Sequence, residues 1–262
     1  MPVSLGQILA STETTLPALK SRRRELERLA AASPAVPSFR EALERPTVAL
    51  IAEVKRRSPS AGSIREDLDP ARRASHYAAG GAAAISVLTD GPFFGGSLDD
   101  LRAVAGRVDV PVLRKDFILS EEQVLEARAA GASAVLLIVR ALTPARLTSL
   151  QQFAAGLELA ALVEAHTPAE VEVALEAGAT IVGINSRDLD TFRIDVDAAW
   201  SMFATVPAGV IAVAESGMAN VKDVTQAAGA GADAVLIGTA LSAAADPQSL
   251  AREISGVTRR GR

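Results

Sequence analysis

The chain has 262 residues, with 27 Lys or Arg against 31 Asp or Glu. Its formal charge of -4 argues against a nucleic-acid partner held by a broad basic surface, and the length suits one barrel of about 250 residues or two small domains. There is no Cys, which excludes disulfides, zinc–thiolate sites, iron–sulfur clusters and thiol nucleophiles, and the two histidines, His76 and His166, are too far apart for a local metal pair.

Residues 1–46 stand outside the repeat that follows. Ile8, Leu16, Leu19, Leu26 and Leu29 form a rough helical stripe, interrupted by Pro17, that predicts an extra N-terminal helical segment. The basic run Lys20–Arg24 is followed at once by Glu25 and Glu27 and reads as a solvated helix face; residues 30–37 read as a linker. No basic start followed by an apolar stretch marks a leader. The most apolar run, Ala134–Val139, is far short of the roughly 20 residues that span a bilayer, so a soluble, cytoplasmic protein with no membrane partner is expected.

From residue 47 onward one event recurs: a short aliphatic run ends in a polar residue, then a loop and an Ala-rich amphipathic stretch follow. The runs are Val48–Val54, Ala83–Leu88, Val110–Arg114, Ala134–Val139, Leu159–Val163, Thr180–Ile184, Val210–Ala214 and Ala234–Ile237. Each is nearly continuous in apolar residues, the pattern of parallel strands covered on both faces. Similar turns at Gly81, Gly131, Gly178 and Gly231 precede four of them, and Gly there supplies the left-handed backbone that ends a helix. Ser120–Gln123 and Thr167–Glu170 look like capping boxes, the second with Pro at the first helical position. Eight strands alternating with helices predict an α/β fold, a single (β/α)8 TIM barrel spanning 1–262. Its parts are an N-terminal helical extension (1–46), barrel strands and helices (47–242) and a C-terminal helix (243–262). An open doubly wound sheet is the alternative, but the Gly-x-Gly-x-x-Gly expected after its first strand is missing.

In a barrel, chemistry belongs at the carboxyl ends of the strands. Those positions hold Glu53, Lys55, Lys115, Glu164, Asn185 and Glu215, each ending an otherwise apolar run. Two Lys and three Glu around a low-dielectric mouth would shift one another's pKa values, as paired general acids and bases require. The last two loops, Glu215-Ser216-Gly217 and Gly238-Thr239-Ala240, bring glycine backbone where barrel enzymes commonly bind phosphate. Phe93, Phe94 and Phe117 fall in loops after the second and third strands and suggest an apolar pocket for a planar ring. His76, expected on a helix, and His166, expected in a loop, are assigned no catalytic role.

With these residues in place, seven motifs resemble the indole-3-glycerol phosphate synthase family of tryptophan biosynthesis. They are Ala52–Ser60 (with Lys-Arg-Arg-Ser-Pro-Ser), Ser86–Asp90, Phe94–Ser97, Leu113–Ile118, Val163–His166, Gly183–Leu189 (with Asn-Ser-Arg-Asp-Leu) and Ala214–Gly217. They run in order through the barrel region (47–242) and touch six of the eight units. Ala61 departs from the pattern, where a basic residue is expected after Ser-Pro-Ser.

The resemblance implies a small phosphorylated substrate, 1-(2-carboxyphenylamino)-1-deoxyribulose 5-phosphate. Ring closure, loss of CO2 and loss of water convert it to indole-3-glycerol phosphate, with no metal and no organic cofactor. It implies Lys115 as the acid for ring closure, and Lys55 with Glu164 as the acid/base pair of dehydration, in either order. Glu53 pairs with Lys55; Asn185 and Glu215 hold the sugar hydroxyls, supported by Arg187 and Ser216. Ser58, Gly217, Gly238 and Thr239 surround the phosphate, while Pro59, Phe94, Phe117 and Leu189 wall the anthranilate ring. A monomer is expected, in transient contact with other tryptophan-pathway enzymes. Three alternatives are a phosphoribosylanthranilate isomerase, whose acid–base pair commonly involves the Cys this chain lacks, a thiazole synthase, and a non-catalytic phosphate-ligand binding barrel. Joint presence of Lys55, Lys115 and Glu164 favours the enzyme.

Overall fold

In a computed structural model describing residues 3–59, 62–189 and 191–261, eight parallel strands close into a barrel. They are β1 (Ala49–Val54), β2 (Ala84–Leu88), β3 (Val112–Lys115), β4 (Ala134–Ile138), β5 (Ala160–Ala165), β6 (Ile181–Asn185), β7 (Ile211–Glu215) and β8 (Ala234–Ile237). Closure is direct: β1 pairs with β2 through Ile51 and Ala84, and with β8 through Ala49 and Ala234.

The apolar strand composition follows from this closure. Alternate residues such as Ile51, Leu113, Leu136, Leu162, Val213 and Leu236 fill the barrel interior as one cluster. Their neighbours Leu50, Ile85, Val135, Val163 and Val235 meet the surrounding helices as another. Each strand is therefore buried on both faces, and the polar residues at its carboxyl end are the exceptions to its apolar composition. Truncating a fully buried interior residue such as Leu113 to Ala is expected to cost about 2–5 kcal/mol.

The expected glycine turns are present, with φ of 92° at Gly81, 87° at Gly131, 86° at Gly178 and 112° at Gly231. Ser120 forms the capping box with Gln123. Thr167 caps its helix through the Glu170 backbone N–H, but the reciprocal half differs: Glu170 reaches past Thr167 and accepts from the His166 backbone N–H at 2.8 Å. Four strands also extend further than the aliphatic runs suggested, because Lys115, Glu164, Asn185 and Glu215 belong to the strands themselves.

The N-terminal segment is three helices, Leu5–Ser21, Arg23–Ala32 and Phe39–Leu43. Pro17 is accommodated inside the first, and the break falls at Arg22. Of the predicted stripe, Ile8 and Leu26 are buried while Leu29 is exposed. Helix continues to Ala32, so the extended connection starts at Ser33. The basic run is more than a solvated face: Arg23 meets Glu121 at 2.7 Å and Glu122 at 2.8 Å and stacks 5.8 Å over the Phe153 ring, fastening the extension to the barrel. Phe39 and Leu43 pack into the interior cluster, and Arg40 donates to the Thr180 and Gly209 carbonyls, just before β6 and β7. This short helix closes the amino end of the barrel, leaving the carboxyl end for a site.

The C-terminal helix occupies Pro247–Ser255, after which Thr258 bridges back to Thr47. Among the described residues no helix is long and apolar enough to cross a membrane.

Candidate active site

The carboxyl ends of the strands open into a cavity of about 550 Å³. Its lining includes Glu53, Lys55, Lys115, Glu164, Asn185, Glu215 and Ser216, and also Ser58, Pro59, Phe94, Phe117, Arg187, Leu189, Gly217, Gly238 and Thr239. The structure thus brings together in one cavity every residue that the family resemblance nominated for substrate or catalysis. Phe93 is different: it packs against the barrel-interior cluster and does not line the cavity. Ser60 and Ala61 lie outside the described residues.

Two ammonium groups and three carboxyls meet on the floor. Lys55 Nζ is 2.9 Å from Glu53 Oε1. Lys115 Nζ lies 3.5 Å from both Glu164 Oε2 and Glu215 Oε2. The Glu164 and Glu215 side chains are each only 1% exposed, so these charges act on one another through protein rather than water. Burial is the largest single influence on Lys115 and opposes its charge, but Glu164, Glu215 and Glu53 together outweigh it and raise the ammonium's pKa. Burial also leads for Glu53 and Glu164. Lys55 and Lys115 nevertheless hold Glu53 below the usual carboxylate range, and Lys115 with His166 does the same for Glu164.

Glu215 goes the other way. Burial, then the charge of Glu164, push its carboxyl well above the usual range. Among the described residues neither of its oxygens meets a conventional hydrogen-bond donor. The raised pKa favours the protonated carboxyl, whose O–H can donate to the neighbouring Glu164 carboxylate. The two carboxyls on β7 and β5 are thus pushed in opposite directions around a shared lysine.

Missing side chains make the room. A Cβ on Gly183 would collide with Glu215 Oε1, and one on Gly238 with Glu53 Oε1, so two glycines facing the barrel interior accommodate two carboxyls. Asn185 is oriented by its own carbonyl, Oδ1, which accepts from the Arg187 backbone N–H at 3.0 Å and leaves the amide N–H2 for Glu164. After β7, Ser216 (φ 65°) and Gly217 (φ 77°) are both left-handed. For Ser that conformation is strained, and it persists where surrounding structure fixes it. A Cβ on Gly217 would strike Val196. Thr239 opens a short helix, Thr239–Ala243, whose first backbone N–H groups have no partner within the helix.

The rim comes from the loops. Phe94 and Phe117 lie with ring centroids 6.2 Å apart at 37°, and Asp90 caps the turn that carries Phe94. Lys115 and Arg114 point opposite ways, as a strand dictates. Outside the barrel Arg114 pairs with Asp116 at 2.9 Å and Glu126 at 3.0 Å, while Asp116 accepts from the Phe117 backbone N–H at 2.8 Å. The Arg-Lys-Asp-Phe string thus places one charge inside and fixes the turn that presents the ring.

Arg56 pairs with Asp100 at 2.6 Å and donates to the Gly95 carbonyl, tying the loop after β1, with its small hairpin at Arg57–Ser58 and Gly62–Ser63, to the loop after β2. Sequence reasoning missed Leu136, Ile138 and Leu236 on the cavity floor, although their strict alternation along β4 and β8 marked them as inward-facing. It also missed Phe192 and Ile194; the exposure of Ile194, at 44%, is the folded-state sign of an apolar rim.

The family model for indole-3-glycerol phosphate synthase matches residues 5–254. An indole-3-glycerol phosphate synthase of Parafrankia sp. (strain EAN1pec) is 49% identical over 245 residues, covering 92% of this chain and 88% of that protein. Indole-3-glycerol phosphate synthase 2 of Streptomyces coelicolor is 44% identical, covering 96% of this chain and 98% of its own. Among solved structures, a 3-hexulose-6-phosphate synthase from Salmonella typhimurium aligns with a TM-score of 0.62 at 20% identity, covering 79% of this chain and 97% of that one; this is a likeness of fold alone. The cavity's residues and the matches along nearly the whole sequence lead to one assignment: the chain belongs to the indole-3-glycerol phosphate synthase family.

Proposed function

We propose that this enzyme, a carboxy-lyase of tryptophan biosynthesis, carries out its chemistry at the Lys55–Lys115–Glu164 cluster. Its substrate is 1-(2-carboxyphenylamino)-1-deoxyribulose 5-phosphate and its product indole-3-glycerol phosphate. The observation that carries the reading is the Lys115 ammonium held 3.5 Å from both Glu164 and Glu215, across a floor shared with the Lys55–Glu53 pair.

The carboxyl-bearing ring carbon attacks the ketose carbonyl, and Lys115 gives the oxygen its proton as the carbon–carbon bond forms. CO2 then leaves, returning the electron pair to the ring. In the dehydration, the Lys55 ammonium protonates the departing hydroxyl, and ionised Glu164 removes the hydrogen from the neighbouring carbon, restoring aromaticity. Two protons are delivered and one is taken back. The net proton consumed matches the release of neutral CO2 from a carboxylate.

Glu53 keeps Lys55 charged and aimed. Asn185 and Glu215 hold sugar hydroxyls, with Arg187 and Ser216 in support. Ser58, Gly217, Gly238 and Thr239 receive the phosphate, for which backbone N–H groups at a loop–helix junction are suited donors. Pro59, Phe94, Phe117 and Leu189 wall the aromatic ring and hold its carbon near the carbonyl, a positioning effect worth several kcal/mol.

The test is fluorescence of the indole product during incubation with the carboxyphenylamino sugar phosphate; no signal at saturating substrate rejects the reading. A cytoplasmic location and a monomer that meets other tryptophan-pathway enzymes only transiently belong to the same proposal. Light scattering coupled to size exclusion tests the monomer.

A further inference from the structure

His166 follows Glu164 by two positions and its side chain is only 3% exposed, yet no step above uses it. Its ring lies between two carboxyls. Nδ1 is 3.3 Å from Glu170 Oε2, and Nε2 is 3.4 Å from Glu164 Oε1. Glu170 is itself held, accepting from the His166 backbone N–H at 2.8 Å and pairing with Arg140 at 2.9 Å. Among the described residues Nε2 makes no conventional hydrogen bond, so its approach to Glu164 Oε1 is an ion-pair contact. Lys115 meets Glu164 through Oε2, so the two oxygens of this carboxylate face different cations or donors.

We propose that His166 is a positioning residue: it fixes the orientation of the Glu164 carboxylate through Oε1, while Glu170, anchored by Arg140, fixes the imidazole. Lys115, Asn185 and Glu215 also act on Glu164, and His166 adds the contact at Oε1 that limits rotation about its last side-chain bonds; a base that must meet one hydrogen on one carbon loses rate when it swings. The 1% exposure of the Glu164 side chain gives water little access to do the same job. His166 is also one of the influences that lower the pKa of Glu164, after the larger opposing effect of burial and the help of Lys115. The proposal rests on the reading of Glu164 as the base.

The experiment is steady-state kinetics of His166→Leu, His166→Gln, Glu170→Ala and Glu164→Gln. His166→Leu is expected to lower kcat by about 10- to 100-fold, the range seen when a supporting partner of a reacting group is removed, with KM within about twofold. His166→Gln, which keeps an N–H directed at Glu164, should recover most of that loss. The acid limb of the kcat profile should move to higher pH in His166→Leu. The charged and titratable neighbours to be considered are Glu164, Glu170, Arg140, Lys115, Glu215 and Glu53.

Should His166→Leu fail to fold, Glu170→Ala decides, with an expected loss of about threefold to tenfold in kcat at unchanged KM. Unchanged kcat in both His166→Leu and Glu170→Ala, or a loss that His166→Gln does not relieve, overturns the proposal. Near-normal kcat in Glu164→Gln would instead reject the assignment of the base. Low kcat in Glu164→Gln together with normal kcat in His166→Leu rejects the positioning role alone.

Discussion

The carboxyl of Glu215 on β7 occupies the space that a side chain on Gly183 of β6 would fill. Parallel pairing sets Asn185 beside Glu215 and Gly183 beside Val213, so the acid leans back across its neighbouring strand toward the barrel axis. Gly183→Ala tests how closely that placement matters. The added methyl meets the far end of a side chain, which shifts at modest cost, so the barrel should fold with a stability loss of about 1–3 kcal/mol. The displaced carboxyl should cost about tenfold or more in kcat/KM. Urea unfolding and kinetics on the same preparation check both, and unchanged kinetics would mean that the position of Glu215 is unimportant.

Lys115 is the electrostatic hub of the floor, and its removal should separate chemistry from fold. Lys115→Ala takes away the proposed proton donor for ring closure, and loss of a general acid lowers turnover by about 10²- to 10⁴-fold. It also strips Glu53, Glu164 and Glu215 of a shared counter-charge. The circular dichroism spectrum should stay native while turnover collapses; a near-normal rate would remove Lys115 from the acid's role.

Much of this site was legible because strand ends are constrained twice, by pleat and by burial. A Lys or Glu that ends an aliphatic run in phase with the inward residues has nowhere to point except the barrel mouth, and Lys115, Glu164 and Glu215 follow that rule. The capping pattern Thr167–Glu170 was half legible, since it is only in the folded chain that Glu170 reaches past Thr167 to hold His166. Contacts between residues far apart in sequence left no local trace. Arg23 on Glu121 and Glu122 joins residues 98 and 99 positions apart, and Arg56 on Asp100 joins the loop after β1 to the helix Leu98–Ala105; no periodicity encodes either. Phe93 was misread for a related reason: two adjacent residues on a helical turn point about 100° apart, so only Phe94 faces the cavity.

The raised pKa of Glu215 makes a prediction about stability and pH. Burial, then the charge of Glu164, oppose its ionisation, so the folded state binds this proton more tightly than the unfolded chain does. The stabilisation is complete below the unfolded value near 4.5 and is lost as pH rises through the raised folded value. Glu215→Gln keeps the shape and cannot ionise. Its stability relative to the parent should therefore improve as pH rises above 4.5, through the range in which Glu215 of the parent gives up its proton. Urea midpoints at several pH values measure this, and a difference independent of pH would show that Glu215 ionises normally.

Thr239 is exposed at the cavity rim, at the start of a short helix next to Gly238, where a phosphate would meet backbone N–H groups and little else. A carboxylate introduced there lies at an exposed position outside the proposed Lys55–Lys115–Glu164 cluster, so its effect should fall on binding. Thr239→Asp should raise KM by about tenfold or more through charge repulsion, with kcat changed by less than about threefold. Raising the ionic strength should narrow the difference, because charges at an exposed rim are screened over about 10 Å at 0.1 M salt. A KM equal to the parent's would place the anion site elsewhere in the mouth, whereas a fall in kcat at constant KM would mean that this loop shapes the transition state rather than the anchor.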